Sequence, residues 1–260
     1  MLFIKNINIG RFGNKLLYYN NLVQVAYSNG LAYSCPTFEN DYLFNFSRLN
    51  KRNDPYININ KTVSKTDLLK KIKLKPTENT ELTACLGDLF FIYDDLSTHD
   101  IFEFRSEYIP EKKEEINVAV HFRGTDFKQW DPLAVLNVDY YIQAIEFLFE
   151  KNTNLIFKIF TDDMNLESFT NFLKYMDEKK ILYYLGNINN MNKDFIEMSY
   201  SDIIISSPST FAVAAGFCGK SNKKIIHSKK WVAYRCSKND LFWQGFESGG
   251  NRNYKGYKLI

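Results

Sequence analysis

Residues 121–126 form the stretch whose side chains are best suited to chemistry. They read His-Phe-Arg-Gly-Thr-Asp and follow an alternating apolar run, 116–120, that is typical of a β-strand. In α/β proteins, ionisable groups beside a glycine at the end of such a strand form ligand sites at the carboxyl edge of the sheet. One arginine with a histidine, and no metal-ligand spacing, favours a diphosphate over a cation. The alternative is a strand end capped by an ordinary surface pair of Arg123 and Asp126.

Two further predicted strand ends carry polar groups. Thr161-Asp162-Asp163 follows one strand, and residues 206–210, Ser-Ser-Pro-Ser-Thr, follow another. Parallel strands place their carboxyl ends at one edge of a sheet, so the three segments are predicted to converge on one crevice. Carboxylates there can accept from a base or a ribose hydroxyl, while serine hydroxyls and N–H groups at a helix start can hold phosphate. Each segment also has an ordinary interpretation as a helix cap with acids in the first turn.

Several common catalytic motifs are absent from the sequence. It contains no Asp-x-Asp, no Gly-x-Gly-x-x-Gly, no Walker loop, no His-Glu-x-x-His and no serine-nucleophile elbow. These absences argue against a metal-dependent sugar transferase, a Rossmann dehydrogenase and an NTPase. The sequence therefore predicts a site with no bound metal and no cofactor.

Strands and helices alternate strictly in the second half of the chain. This alternation predicts a parallel, doubly wound sheet. The predicted strands are 116–120, 155–160, 180–184, 202–206 and 224–227, and the predicted helices are 138–149, 166–176, 193–199 and 211–217.

The first half predicts a smaller α/β unit. A strand is expected at 2–9, a turn at 10–14, a helix at 16–27 and a short strand at 32–34. Pro110 and the five charged residues that follow it predict a linker. The chain is therefore predicted to form two domains, 1–112 and 113–260.

Composition sets limits on the class of protein. The chain has 260 residues, 45% hydrophobic and 24% charged, as in an ordinary globular protein. A net charge of +3, with its lysines dispersed, argues against a nucleic-acid partner. The basic run at 70–75 is predicted to be a solvated helix face, with peripheral contact to an anionic membrane surface as the alternative.

Cysteine spacing and hydropathy predict the compartment. Four widely spaced cysteines without a Cys-x-x-Cys pair predict reduced thiols rather than disulfides or a zinc site. No signal peptide and no apolar run of membrane-spanning length is visible. The expected location is cytoplasmic, at most peripheral to the inner membrane face.

Five segments, in order along the chain, resemble the α-1,2-fucosyltransferases (glycosyltransferase family 11) of the fucosyltransferase superfamily. Residues 10–16, Gly-Arg-Phe-Gly-Asn-Lys-Leu, resemble the family's Gly-x-Gly-Asn-x-(Leu/Met) segment. Residues 120–126 resemble its His-x-Arg-Arg-x-Asp signature. Residues 139–145 and 159–163 match the following helix and strand end, and residues 206–215 resemble the late Ser-Thr-Phe-x-x-x-Ala segment.

This resemblance implies a GT-B-like pair of Rossmann-type domains, a GDP-fucose donor, inversion at the sugar carbon and no metal requirement. The implied reaction transfers L-fucose to a hydroxyl of an oligosaccharide or lipid-linked glycan, as an α-1,2 linkage to galactose, in bacterial surface polysaccharide biosynthesis. Residues 1–112 are then the acceptor-side domain, and residues 113–260 bind the donor.

The resemblance also assigns roles to residues. Arg123 matches the residue that holds the β-phosphate, and His121 and Asp163 match contacts to guanosine. Arg123 and the N–H groups near 209–211 are the candidates to neutralise charge on the leaving GDP. The full predicted donor-binding set is His121, Arg123, Asp162, Asp163, Ser209, Thr210, Phe211, Gly13 and Asn14.

An inverting transfer also needs a general base for the acceptor hydroxyl. Asp126 closes the signature, although its alternative role is to hold Arg123 in place. Asp131 lies five residues further on, and in related α-1,6 enzymes a carboxylate at about this spacing is the proposed base. The catalytic candidates are therefore Arg123, Asp131 and Asp126.

Departures from the family pattern keep alternatives open. Gly124 stands where the family has its second arginine, and Ala212 and Val213 replace bulky aromatics. The alternatives are a transferase for another GDP-deoxyhexose and a GDP-sugar-binding protein that has lost catalysis. The high aromatic content, 16%, suits a sugar-binding groove and an aromatic core equally well.

Overall fold

Parallel strands with flanking helices make up both halves of the chain in the computed structural model, so the predicted α/β class is confirmed. A first unit ends at Tyr108 and a second begins at Ile109, whereas the predicted boundary lies between residues 112 and 113. The structure describes residues 1–7, 10–46, 61–63, 74, 79–83, 101–111, 114–130, 135–150, 152–187, 189–220, 223–227 and 258–259.

The first unit has a four-stranded sheet in which every pair of neighbouring strands is parallel. Its strands are β1 (Leu2–Phe3), β2 (Tyr33–Ser34), β3 (Lys61–Val63) and β4 (Thr80–Leu82), in the order β2-β1-β4-β3. Helix α1 (Phe12–Ser28) packs on this sheet and is buried along most of its length.

The backbone at both ends of α1 explains its length. Gly10 has a φ of 62°, the left-handed conformation that glycine adopts at little cost, and the helix begins two residues later. The predicted turn at 10–14 is therefore wrong in extent, because Gly13 and Asn14 lie in the first turn of α1. At the other end Leu31 N–H donates to the carbonyl of Ala26, and Gly30 N–H to that of Tyr27, which is a Schellman motif.

Aromatic residues of the first unit lie in its core. The rings of Phe44 and Phe104 are 4.7 Å apart, and Phe102 packs edge-on against Phe44 and Tyr19. All four side chains are almost fully buried. Rings packed in this way stabilise the unit through buried apolar area and do not offer a stacking surface to a sugar.

The second unit has a six-stranded parallel sheet. Its strand order is β10-β9-β8-β5-β6-β7, so the chain runs outward from β5 on one side and from β8 on the other. This is the strand order of dinucleotide-binding folds, and its topological switch point lies between β5 and β8. The strands are β5 (Ile116–Phe122), β6 (Leu155–Thr161), β7 (Tyr183–Leu185), β8 (Ile203–Ser206), β9 (Lys224–His227) and β10 (Lys258–Leu259).

Helices cover both faces of this sheet. Val118, Val120 and Phe122 of β5 face the core that helices α3 (Val138–Phe149) and α4 (Glu167–Glu178) complete. Because successive side chains alternate along a strand, Ala119 and His121 point to the opposite face. On that face α6 (Thr210–Phe217) lies close to the sheet, with its Phe211 ring 5.7 Å from the His121 ring. The helices are α2 (Phe127–Trp130), α3 (Val138–Phe149), α4 (Glu167–Glu178), α5 (Met191–Ser199) and α6 (Thr210–Phe217).

The predicted strand at 180–184 begins too early. Lys180 has a φ of 55° and lies in the left-handed turn that ends α4, where Ile181 N–H donates to the carbonyl of Met176. A lysine at this position gives no sequence signal comparable to glycine, so the sequence places the start of the strand inside this turn. The strand β7 consequently covers only Tyr183–Leu185.

Two of the four cysteines, Cys35 and Cys218, are buried free thiols, as predicted; the other two lie outside the described residues, as does most of the basic run at 70–75. In the described part of the chain, none of the helices has both the length and the apolar character needed to cross a membrane.

A buried lysine ties together the carboxyl ends of α5 and α6. Lys223 is 5% exposed, and its ammonium group donates to the carbonyl oxygens of Ser199 at 2.6 Å, Ala215 at 2.7 Å and Cys218. Three N–H donors thus satisfy three carbonyls at the negative ends of two helix dipoles.

Replacing this lysine by an apolar residue of similar length is expected to remove the ammonium donor from the buried carbonyls of Ala215 and Cys218, whereas that of Ser199 keeps the N–H of Lys220 as a donor. Lys223→Met should lower the free energy of unfolding by about 3 kcal/mol. The neighbouring exposed Lys224 is the matched control, and Lys224→Met should change the stability by less than about 0.5 kcal/mol. Urea unfolding of both variants measures the difference; equal stabilities would contradict this role for Lys223.

Candidate functional site

The three polar strand ends predicted to converge do lie at the same edge of the second sheet. Strand β5 pairs with β6 on one side and β8 on the other, all parallel, so their carboxyl ends adjoin. Beyond the ladder, Ser207 N–H donates to the carbonyl of His121 at 3.1 Å. The switch point between β5 and β8 is therefore lined by residues that the sequence analysis selected.

His121 and Ser207 face each other across this switch point. Nδ1 of His121 lies 2.7 Å from Oγ of Ser207, and both side chains are buried. The imidazole ring is also tilted against Phe211 at the start of α6. The His121 ring, at the end of β5, is thus held in a single orientation by Ser207 and Phe211, which both follow β8.

The environment keeps His121 neutral. Burial lowers the pKa of His121 well below its usual value of 6.5, and the nearby charge of Arg123 lowers it further, while Asp162 opposes this shift. A neutral imidazole has one ring nitrogen that donates and one that accepts.

Arg123 is held between two carboxylates. Its Nη2 lies 2.6 Å from Oδ1 of Asp126, and its Nη1 lies 2.7 Å from Oδ2 of Asp162. The guanidinium carbon is 5.3 Å from the centre of the Phe127 ring, and the side chain is only 11% exposed. Among the residues that the structure describes, none accepts a hydrogen bond from its buried Nε–H. The contact expected of Asp126, as a support for Arg123, is thus present.

Asp162 fixes the loop that carries Arg123. Its Oδ1 accepts from the backbone N–H of Gly124 at 2.8 Å, and its Oδ2 accepts from Thr125 Oγ1 at 2.7 Å as well as from Arg123. Burial raises the pKa of Asp162, but the Thr125 hydroxyl, Arg123 and the Gly124 N–H together outweigh it and lower the pKa. Asp162 is therefore an ionised anchor for the β5–α2 loop.

Asp163 and Gly124 pack against each other. A Cβ at Gly124 would lie 2.9 Å from the Cβ of Asp163, closer than such atoms approach in proteins. The carboxylate of Asp163 accepts from Lys128 Nζ at 2.5 Å and from Asn165 N–H at 3.0 Å. Glycine at 124, where the resembled family has arginine, is thus a steric requirement of the neighbouring strand end.

The start of α6 is capped by its own sequence. Ser209 is the N-cap residue, and its hydroxyl oxygen accepts from the N–H of Phe211 at 3.3 Å. Thr210 is the first residue of the helix and is half-buried. The ordinary interpretation of this segment as a helix cap is therefore correct, and it stands at the switch point beside His121.

Two tyrosines of α3 support the strand ends from the other face. The Tyr141 hydroxyl donates to the carbonyl of His121 at 3.3 Å, and the Tyr140 hydroxyl lies 2.9 Å from the carbonyls of both Ser206 and Ile226. Burial raises the pKa of both hydroxyls, so they stay protonated donors. Sequence reasoning missed these roles, although two adjacent tyrosines in the first turn of an amphipathic helix were visible.

Three further predicted residues belong to other parts of the chain. Gly13 and Asn14 belong to α1 in the first unit. Asp131, the preferred candidate for the general base, lies outside the described residues. Within the described ranges, no group of three or more His, Cys, Asp or Glu side chains is arranged to hold a metal ion.

The charges of the cluster are closely balanced. Two cationic side chains, Arg123 and Lys128, contact three carboxylates, those of Asp126, Asp162 and Asp163. An anion that approaches Arg123 therefore competes with two carboxylates that already contact its Nη1 and Nη2. Asp126 is the partner most open to replacement, since its side chain is 42% exposed and that of Asp162 is 24% exposed.

Comparisons with known proteins give little on identity. No family model matches the chain, and no curated protein is similar to it. Among solved structures, the chain is similar to ADP-heptose LPS heptosyltransferase II of E. coli, with 9% sequence identity and a TM-score of 0.46. The match covers 100% of this chain and 89% of that one. A similarity of this size carries no conclusion about the reaction.

The buried environment of His121 gives a prediction about protonation. The ring should remain neutral at about pH 5, because protonation would place a second buried cation beside Arg123. In the unfolded chain the same ring takes up a proton near its usual pKa, so this group favours unfolding increasingly as the pH falls below that value.

Histidine nitrogen NMR measures this directly. The chain has only three histidines, so His121→Gln assigns the signal of His121 in a ¹⁵N-histidine-labelled sample. Titration of His121 near pH 6.5 would contradict the prediction.

Proposed function

We propose that the chain is an inverting glycosyltransferase that moves L-fucose from GDP-fucose to a hydroxyl of a glycan acceptor, with galactose and an α-1,2 linkage as the first candidates. The observation that carries the proposal is the position of Arg123 and His121 at the switch point between β5 and β8. Open parallel sheets bind nucleotides at such a point, in the crevice beyond the carboxyl ends of the strands.

The residues of the resemblance support this choice of donor. The segments at 120–126, 159–163 and 206–215 are far apart in sequence, and all three contribute to the edge that holds Arg123. Arg123 is proposed to bind the diphosphate, and His121, Asp163 and residues 209–211 to contact the rest of the nucleotide. Gly13 and Asn14 of the first unit complete the proposed donor set, and that unit is proposed to bind the acceptor.

Arg123 is proposed to exchange one of its carboxylate partners for the diphosphate when the donor binds. A diphosphate offers paired oxygens that match the guanidinium fork, so it can take the place of Asp126 while Asp162 continues to hold Nη1. Asp162 also keeps the loop fixed through Gly124 and Thr125. The charge of Arg123 is then in place to stabilise the leaving GDP without any movement of the strand ends.

Substitutions at Arg123 and Asp126 test this mechanism with GDP-fucose and a panel of β-galactosides. Arg123→Ala should lower the transfer rate at least ~100-fold, the usual scale for losing a preorganised charge. Because this variant leaves two carboxylates unpaired, Arg123→Lys is the second variant: it keeps the charge, lacks the fork and should lose activity by about tenfold or more. Lys174→Ala, a change at an exposed residue of α4, is the control.

Asp126→Asn is expected to act in the opposite direction on nucleotide binding. It removes a competing negative charge while Asp162 still holds Arg123, so calorimetric GDP affinity should rise by about three- to tenfold. Near-normal transfer in Arg123→Ala would contradict the proposed role of Arg123. GDP binding without transfer to any acceptor would favour the alternative of a GDP-sugar-binding protein.

The reaction is proposed to need no metal ion. The guanidinium of Arg123 bridges Asp126 and Asp162, which is the position that a divalent cation would take between two carboxylates. Transfer should therefore continue unchanged in EDTA. A loss of transfer that Mg²⁺ or Mn²⁺ restores would show that these carboxylates exchange Arg123 for a metal ion.

The proposal also includes a general base for the acceptor hydroxyl and a choice among GDP-deoxyhexose donors. Asp131 and Asp126 remain the two candidates for the base. Gly124 favours a test of other GDP-deoxyhexoses beside GDP-fucose, since a second arginine cannot stand at this position without displacing Asp163. A donor panel with product analysis decides between these sugars.

A further inference from the structure

The contact between His121 and Ser207 determines more than the orientation of the ring. Ser207 is 2% exposed, and its hydroxyl has no hydrogen-bond partner other than Nδ1 of His121 within the described ranges. The second ring nitrogen, Nε2, has no partner in this part of the chain either. The Nδ1–Oγ hydrogen bond can form with either side chain as the donor, depending on the tautomer of His121.

Hydrogen-bond accounting favours donation by the serine. If the hydroxyl of Ser207 donates to Nδ1, its proton and the lone pair of the nitrogen are both satisfied. If Nδ1–H donated instead, the hydroxyl proton of Ser207 would be buried without an acceptor, which costs about 1–3 kcal/mol. A neutral ring that accepts at Nδ1 must carry its proton on Nε2.

A nucleophilic role for Ser207 does not fit the same geometry. Ser207 is almost completely buried, and its hydroxyl contacts the His121 ring at Nδ1. The backbone of Ser207 is also fixed, because its N–H donates to the carbonyl of His121 and its own carbonyl accepts from Ser206 Oγ and from Ser209 N–H. A side chain held in this way can orient a neighbour and cannot approach a substrate.

We propose that Ser207 is a positioning residue that fixes His121 as the Nε2-protonated tautomer, so that the ring presents an N–H donor to an oxygen of the bound nucleotide. The ligand in this statement rests on the proposed function, whereas the tautomer follows from the contacts alone. His121 then acts as a neutral donor next to the charged Arg123. Together they offer a diphosphate or a base carbonyl one cation and one oriented N–H group.

Two-bond ¹H–¹⁵N spectra of the full chain labelled with ¹⁵N-histidine distinguish the two tautomers. The expected result is a proton on Nε2 of His121 in the unaltered chain and in Ser207→Thr, which keeps the hydroxyl. Ser207→Ala should give a mixture of tautomers and a GDP affinity lower by about three- to tenfold. Ser168→Ala is the matched control, because that buried serine belongs to α4 and should leave the tautomer unchanged.

The outcomes separate this inference from the proposed function. A proton on Nδ1 in the unaltered chain, or an unchanged tautomer in Ser207→Ala, overturns the positioning role even if GDP binds. A chain with the expected tautomer that does not bind GDP at all overturns the nucleotide as ligand. Equal GDP affinity in the unaltered chain and in Ser207→Ala, with the tautomer altered, shows that the N–H group does not contact the nucleotide and overturns that part of the proposal.

Discussion

The ion pairs of Arg123 with Asp126 and Asp162 are the interaction on which the rest of the site depends. A guanidinium that is almost fully buried needs compensating charge, and two carboxylates from different segments supply it. Asp162 does more than neutralise, since its two oxygens also bind the Gly124 N–H and the Thr125 hydroxyl. The loop after β5 is therefore tied to the end of β6. The same closeness forces glycine at 124, because a larger residue would overlap Asp163.

The strand order then places this loop where a ligand can reach it. The strand order reverses between the parallel strands β5 and β8, so the segments that leave these two strands move to opposite sides of the sheet and open a crevice between them. Hydroxyls of Tyr140 and Tyr141 contact carbonyls at or next to the strand ends from one face of the sheet, and the His121–Ser207 side-chain contact joins β5 to the segment after β8 on the other. Backbone groups at the edge are thus satisfied within the protein, and the side chains are left to meet a ligand.

Electrostatics decides what kind of ligand is suitable. The cluster holds more carboxylates than cations, so the proposed binding of a diphosphate would depend on an exchange at Arg123 rather than on a general positive field. The more exposed Asp126 is the partner that can leave, and the more buried Asp162 is the partner that stays. A neutral His121 adds direction without adding charge. Around Arg123, Asp162 is thus the fixed anchor, Asp126 the replaceable counter-ion and His121 the oriented donor.

The sequence by itself determined the alternation of strands and helices, the parallel sheets and the three strand ends that carry polar groups, because periodicity and turn residues are local signals. It also predicted that Asp126 could support Arg123, three residues away on the same loop. The tertiary structure alone decided that Asp162 binds Arg123, that Ser207 meets His121 and that Tyr140 and Tyr141 hold the strand ends. Each of these contacts joins residues 20 to 86 positions apart, and only the register of parallel strands brings them together. The strand predicted from residue 180 begins too early for a related reason: packing just after α4 imposes a left-handed backbone on Lys180, a residue that carries no signal for it.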